Sequence, residues 1–179
     1  NHQTIQQASG LSDKERTYWM NKLSGNLPVI DLPTAKQRPK EKSFNGNIHE
    51  FQLNKELRDR LFRICLENNT SIFTVLLAIT KILLSKYSGS KDIVVGTTVS
   101  GRNHSELEDQ IGLFINTLVL RTNLAEHDVF SELLTEVREV VLAAYDHQHY
   151  PFDALLKDLG ISRTMERSPI FDILVEYQN

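Results

Sequence analysis

Cysteine is nearly absent: Cys65 is the only one in 179 residues. That excludes a disulfide framework and any zinc site built from several thiolates. No apolar run reaches the roughly 18 residues that a bilayer span needs, and no secretory leader pattern opens the sequence. An excess of one charge is also missing. Twenty basic and 23 acidic side chains leave a formal net charge of −3, too little for broad attraction to nucleic acid or anionic lipid. The eight glycines are scattered singly, so no phosphate-cradling loop is formed, and neither Gly-x-Ser-x-Gly nor His-Glu-x-x-His occurs. What is present is 40% hydrophobic and 24% charged residues, a balance that builds a core in one ordinary domain. The expectation is a soluble, cytoplasmic protein with no membrane span and no nucleic-acid partner.

Ser12-Asp13-Lys14-Glu15 fits a capping box at a helix start. Tyr18, Trp19 and Leu23 follow on one side of that helix, and Gly25 ends it. Residues 1–10 are polar and expected to fray. Pro28, Pro33 and Pro39 then interrupt regular structure as far as Gly46. A connector this long is unusual inside a compact domain and predicts a join between two lobes. Its basic end, with Lys36, Arg38, Lys40 and Lys42, reads either as a solvated linker or as a docking patch. Alternation from Ile48 to Leu53 predicts a short strand, and Asn54 caps a helix carrying Leu57, Leu61, Ile64 and Cys65 at helical spacing. Cys65 therefore reads as a small core residue rather than a nucleophile.

Ser71 opens a helix to about Tyr87 with so little polar surface that protein should nearly surround it; Gly89 stops it. The β-branched run from Asp92 to Val99 predicts a buried strand. A turn at Gly101-Arg102-Asn103 leads to a short helix capped by Ser105-Glu106-Leu107-Glu108, and residues 112–121 form another strand. Asp128 to Asp146 shows an amphipathic helical stripe, and Pro151 begins one more helix, from Phe152 to Leu159, closed by Gly160. Arg163 to Pro169 reads as a polar loop and Ile170 to Tyr177 as a final strand. An apolar strand in that position predicts pairing with another part of a larger protein. The order of elements gives an α/β class, a mixed sheet covered by helices.

Chemistry is sparse. His147-Gln148-His149 is the one close histidine pair among six, but at a helix end such side chains point apart, and interaction with the helix C-terminus is the alternative to metal binding. Glu106, Glu108 and Asp109 are clustered acids that read as caps and surface. Asn116 is an amide inside an apolar strand and must find partners if buried. Neither a catalytic centre nor a metal site is visible.

Several ordered motifs nonetheless carry a resemblance. They are Ile93-Val94-Val95-Gly96-Thr97-Thr98-Val99-Ser100-Gly101-Arg102, Ile111-Gly112-Leu113-Phe114-Ile115-Asn116-Thr117, His147-Gln148-His149-Tyr150-Pro151-Phe152, and Arg167-Ser168-Pro169-Ile170-Phe171. With Tyr18-Trp19 and Leu32-Pro33-Thr34 upstream, they resemble the condensation domains of nonribosomal peptide synthetases. Ser168 stands where that family usually has Asn. The family's His-His-x-x-x-Asp-Gly motif, which lies in its first half, has no counterpart, since no His-His dipeptide occurs.

The resemblance implies a chloramphenicol-acetyltransferase-like lobe, the C-terminal one of two. Residues 1–46 would be a lead-in helix and Pro-rich interlobe connector, and 47–179 the lobe itself. It implies that the whole domain joins two carrier-bound acyl groups by an amide bond in a tunnel between lobes. The partners would be the N-terminal lobe and the donor and acceptor peptidyl carrier proteins. No cofactor would be bound directly, because phosphopantetheine is on the carriers. No catalytic residue is expected in this half. Gly101, Arg102, Asn116 and Arg121 are its expected tunnel or interlobe residues. Arg102 would bridge lobes or be a solvated turn residue; Asn116 would hold a substrate carbonyl or pantetheine amide, or satisfy local backbone. An epimerisation or heterocyclisation relative and a non-catalytic carrier-docking module are the alternatives.

Overall fold

The computed structural model describes residues 11–34, 39–41, 43, 45–101, 111–112 and 114–178. The readings placed on residues 1–10, Lys36, Arg38, Lys42, Arg102 and the capped acidic helix at Ser105 to Asp109 lie outside them.

Helix α1 runs Leu11–Lys22 and buries Trp19 and Leu23, as the one-sided spacing predicts; Gly25 leaves it with a positive φ of 75°. Residues 45–53 form no strand and are exposed throughout, with Ile48 at 82%. The reason is physical: a lone extended segment needs a neighbour to satisfy its backbone, and no described strand lies beside it.

Helix α2 (Lys55–Glu67) starts where Asn54 Oδ1 accepts from Leu57 N at 2.8 Å, and it buries Leu61 and Cys65. Helix α3 (Ile72–Ser88) starts where Ser71 Oγ accepts from Thr74 N at 3.2 Å and ends at Gly89, whose φ of 74° suits a residue without Cβ. α3 is less enclosed than its composition predicts. Leu77, Ala78, Lys81 and Leu84 face inward, whereas Ile79, Leu83 and Tyr87 form a stripe 42%, 52% and 62% exposed. An all-apolar sequence does not itself supply a neighbour on every side.

Strand β1 (Asp92–Ser100) pairs antiparallel with β2 (Ile115–Asn123) in a register that sets Val95 opposite Leu120 and Val99 opposite Asn116. β2 begins three residues later than its pattern predicts and continues two further. Asn123 then caps a 3-10 turn, Leu124–Glu126, by accepting from Ala125 N at 3.1 Å. Five consecutive buried residues, Ile93 to Thr97, mean that both faces of β1 are covered.

Helix α4 (Phe130–Asp146) buries the predicted stripe from Leu133 to Ala144, and α5 (Phe152–Asp158) follows Pro151. α4 packs on α3 and β2, and α3 on α2 and β1. By the alternation of β2, Leu118, Leu120 and Thr122 face α3 and α4, while Arg121 faces the irregular segments at 24–30 and 161–172.

The predicted last strand is reduced to one parallel bridge. Gly96 N donates to Ile173 O and Val175 N donates to Gly96 O, each at 2.9 Å. The described sheet is two-stranded and antiparallel, and this bridge adds one parallel contact beside it. A Cβ on Gly96 would lie 2.2 Å from the Phe171 ring, so glycine is what lets this segment close on β1. No single described helix is long and apolar enough to cross a membrane; α2 and α3 are bent by 105° at the break between them.

Candidate functional site

Asn116 lies inward on β2 and reaches the turn between α4 and α5. Its Nδ2 donates to Gln148 O and to Tyr150 O, each at 2.8 Å, and its Oδ1 accepts from Phe152 N at 3.1 Å. Both amide N–H groups are spent on backbone carbonyls of this turn. One lone pair of Oδ1 remains. A single side chain thereby holds three backbone groups of the His147-to-Phe152 motif, which lie 32 to 36 residues further along the chain.

Helix α1 holds the same turn from its other side. Trp19 Nε1 donates to His147 O at 3.0 Å, the His147 ring stacks on Tyr18 with centroids 4.0 Å apart, and its Nδ1 is 3.1 Å from Glu15 Oε2. Glu15, marked by the sequence as a capping partner, is buried in this contact. His147 is therefore engaged with a carboxylate, and no group of three His, Cys, Asp or Glu residues suited to a metal occurs among the described residues.

Beside it the Tyr150 hydroxyl donates to Asp158 Oδ2, which also accepts from Arg16 Nε at 2.7 Å. Burial, with the hydrogen bond to Asp158, pushes the Tyr150 phenol up to about 12. The hydrogen bond from Tyr150, ahead of Arg16, holds the Asp158 carboxyl below its ordinary value. Burial of the Cys65 thiol raises its pKa, which agrees with a core role and not a nucleophile.

The other expected residues separate. Gly101 N donates to Phe114 O at 2.8 Å, and a Cβ there would meet that oxygen at 2.3 Å. This close approach brings the outgoing end of β1 against the incoming end of β2. Arg102 is outside the described residues. Arg121 is a clamp: Nε and Nη2 grip Asp92, with the shortest contact 2.8 Å, while Nη1 donates to Ser24 O at 2.7 Å and Nη2 to Asn26 O at 3.2 Å. It ties the end of α1 to the sheet.

On that face lies an open cleft of about 330 Å³ between Leu27–Ile30 and residues 161–172, with Val94 at its floor. Arg167 braces its rim by pairing with Asp31 and, at 3.0 Å, with Asp172. Two features escaped the sequence reading. The Arg167–Asp31 pair joins residues far apart in sequence and leaves no local signal. Lys81, a fully buried lysine, did leave one: it falls four residues after Leu77 and three before Leu84, on the inward face.

The sequence model of the condensation domain matches residues 1–179, the whole chain. The chain belongs to the condensation domain family. Among similar curated proteins, gramicidin S synthase 2 of Brevibacillus brevis is 42% identical over 171 residues, which cover 96% of this chain and 4% of that protein. Tyrocidine synthase 3 of Brevibacillus parabrevis is 43% identical over 166 residues, or 93% of this chain and 3% of that protein. The chain thus spans a small part of these relatives. Among solved structures, the X-domain from teicoplanin biosynthesis superposes with a TM-score of 0.86 at 26% identity, covering 96% of this chain and 38% of that one. That X-domain has also been solved in complex with OxyB. The condensation domain from Monacolin K polyketide synthase MokA gives a TM-score of 0.84 at 23% identity, with 97% of this chain and 43% of that chain covered. The α/β class expected from the sequence holds, and the fold is that of solved condensation domains.

Proposed function

We propose that this chain is the C-terminal lobe of a peptide-synthetase condensation domain and forms one wall of the channel in which two carrier-bound thioesters are joined. The observation that carries the reading is one of extent. Nearly all of this chain superposes on less than half of a solved condensation domain, and the double-histidine motif is absent from its sequence. The N-terminal lobe is the first partner, and donor and acceptor carrier proteins, with substrates on phosphopantetheine, are the others.

In the reaction the acceptor amine attacks the donor thioester carbonyl. A C–N bond forms, the C–S bond breaks, the donor thiolate leaves, and the amine proton passes to a base within hydrogen-bond reach. No residue here is assigned to that base; it belongs to the other lobe. Residues of this chain shape and hold. Asn116 fixes the turn before α5. Gly101 and Phe114 hold the outgoing end of β1 against the incoming end of β2, and the bridge to the other lobe is assigned to Arg102, the next residue in the sequence. Arg121 keeps α1, and with it the start of the connector, against the sheet. Residues 1–46 then serve as lead-in and interlobe connector, and 47–179 as the lobe.

The test is reconstitution with two loaded carriers and mass-spectrometric detection of the amide product. The complete domain is expected to form it and this chain alone is not; product from the chain alone overturns the half-domain reading. A second reading, a docking module without catalysis, draws on the solved X-domain in complex with another protein. Carrier binding by a complete domain that yields no product would favour it.

A further inference from the structure

Lys81 is an amine with no surface exposure, inside the packing of α3, α4 and β2. Its Nζ lies 2.8 Å from Leu120 O and 2.8 Å from Thr122 Oγ1, both on β2. No ion pair links it to any carboxylate among the described residues. An ammonium has three N–H donors and a neutral amine two. Two acceptors, Leu120 O and Thr122 Oγ1, match the two N–H groups of the neutral form. A buried ammonium here would keep one donor unsatisfied and a full charge without a counter-ion, which is among the costliest arrangements in a core.

We propose that Lys81 is held as a neutral amine that ties α3 to β2, making the packing of this lobe sensitive to pH. The charged groups around it are few. Glu136 from α4 and Asp92 from β1 favour its protonation, and Lys22 at the end of α1 opposes it. Glu136 is itself engaged by His127, and Asp92 by Arg121 on β2. Burial, with Lys22 acting in the same direction, outweighs Glu136 and Asp92 and brings the amine down to about 7 from an ordinary 10.5. Between the folded and unfolded values the unfolded chain holds a proton that the folded chain does not, so stability rises with pH through that window. Below it, both states carry the charge and the folded state bears the full desolvation cost. The strand that feels the change is β2, which also carries Asn116 and Arg121.

The test compares the complete condensation domain carrying this chain with its Lys81→Met variant in thermal unfolding from about pH 6.5 to about pH 9.5. The wild-type midpoint is expected to climb relative to the variant by about 5 °C or more across that range. Parallel curves overturn the proposal. Lysine labelled with 13C at Cε gives a second measurement that needs no variant: one resonance titrates near pH 7 while the others titrate near pH 10. A spectrum in which every lysine titrates near pH 10 overturns the proposal even if Lys81→Met fails to fold.

Discussion

An asparagine side chain offers two N–H donors and one carbonyl oxygen, and at Asn116 all three functions point at the turn before α5. Asn116→Ala leaves two carbonyls and one N–H in a half-buried place without partners, which costs about 1–3 kcal/mol. Urea unfolding should show a lowered midpoint, and faster amide exchange should be confined to residues 148–152. Asn116→Asp should fare no better, because a carboxylate cannot donate to Gln148 and Tyr150. Arg121→Lys keeps the charge but loses the planar fork that grips Asp92 while reaching Ser24 and Asn26. The expected loss is about 1 kcal/mol, since the pair is partly solvated. Trp19, the sole tryptophan, reports the outcome by fluorescence as α1 loosens. Asp158 titrates below its ordinary value in the fold, so its contribution is present above the unfolded value and is lost as pH falls through the folded one. Asp158→Asn should flatten the acid limb of stability followed at the same tryptophan. At this scale the sequence marked Asn116 and Arg121 as notable but not their partners, because those lie in segments that only the fold brings near.

Elements with internal punctuation were legible. Asn54, Ser71 and Gly89 sit at helix ends for reasons written in their own chemistry. The strands were legible in place but not in bounds. β2 is defined by its pairing with β1, and that register carries it on to Asn123, past the point where its hydrophobicity fades. Of the two other expected strands, Ile48 to Leu53 did not form for want of a neighbour, and Ile170 to Tyr177 did not extend beyond one glycine contact. Gly96 is therefore the position at which the last segment is most readily dislodged. Gly96→Ala should displace the Phe171 ring, cost about 1–3 kcal/mol and raise hydrogen exchange at residues 173–175. Pairing it with Phe171→Ala should recover part of the loss by restoring space. The exposed stripe of Ile79, Leu83 and Tyr87 belongs to this scale too. Apolar periodicity reports that a helix face seeks cover without saying what provides it.

At the scale of the whole chain, the family and fold were legible because several motifs fall in order along nearly all of its length. The long-range tie that makes one body of it was not. Helix α1 stands before the proline-interrupted connector in sequence, yet Trp19, Leu23 and Ile30 share one core with Leu134 and Leu155. Glu15, Arg16 and Tyr18 add polar and stacking contacts to the α4–α5 turn and to α5 itself. Covalent continuity between α1 and the rest is thus redundant once the chain has folded. A single tryptic scission at exposed Lys40 should yield two polypeptides that co-elute as one particle and separate only in denaturant. Two independently made pieces should find each other and restore the buried fluorescence of Trp19.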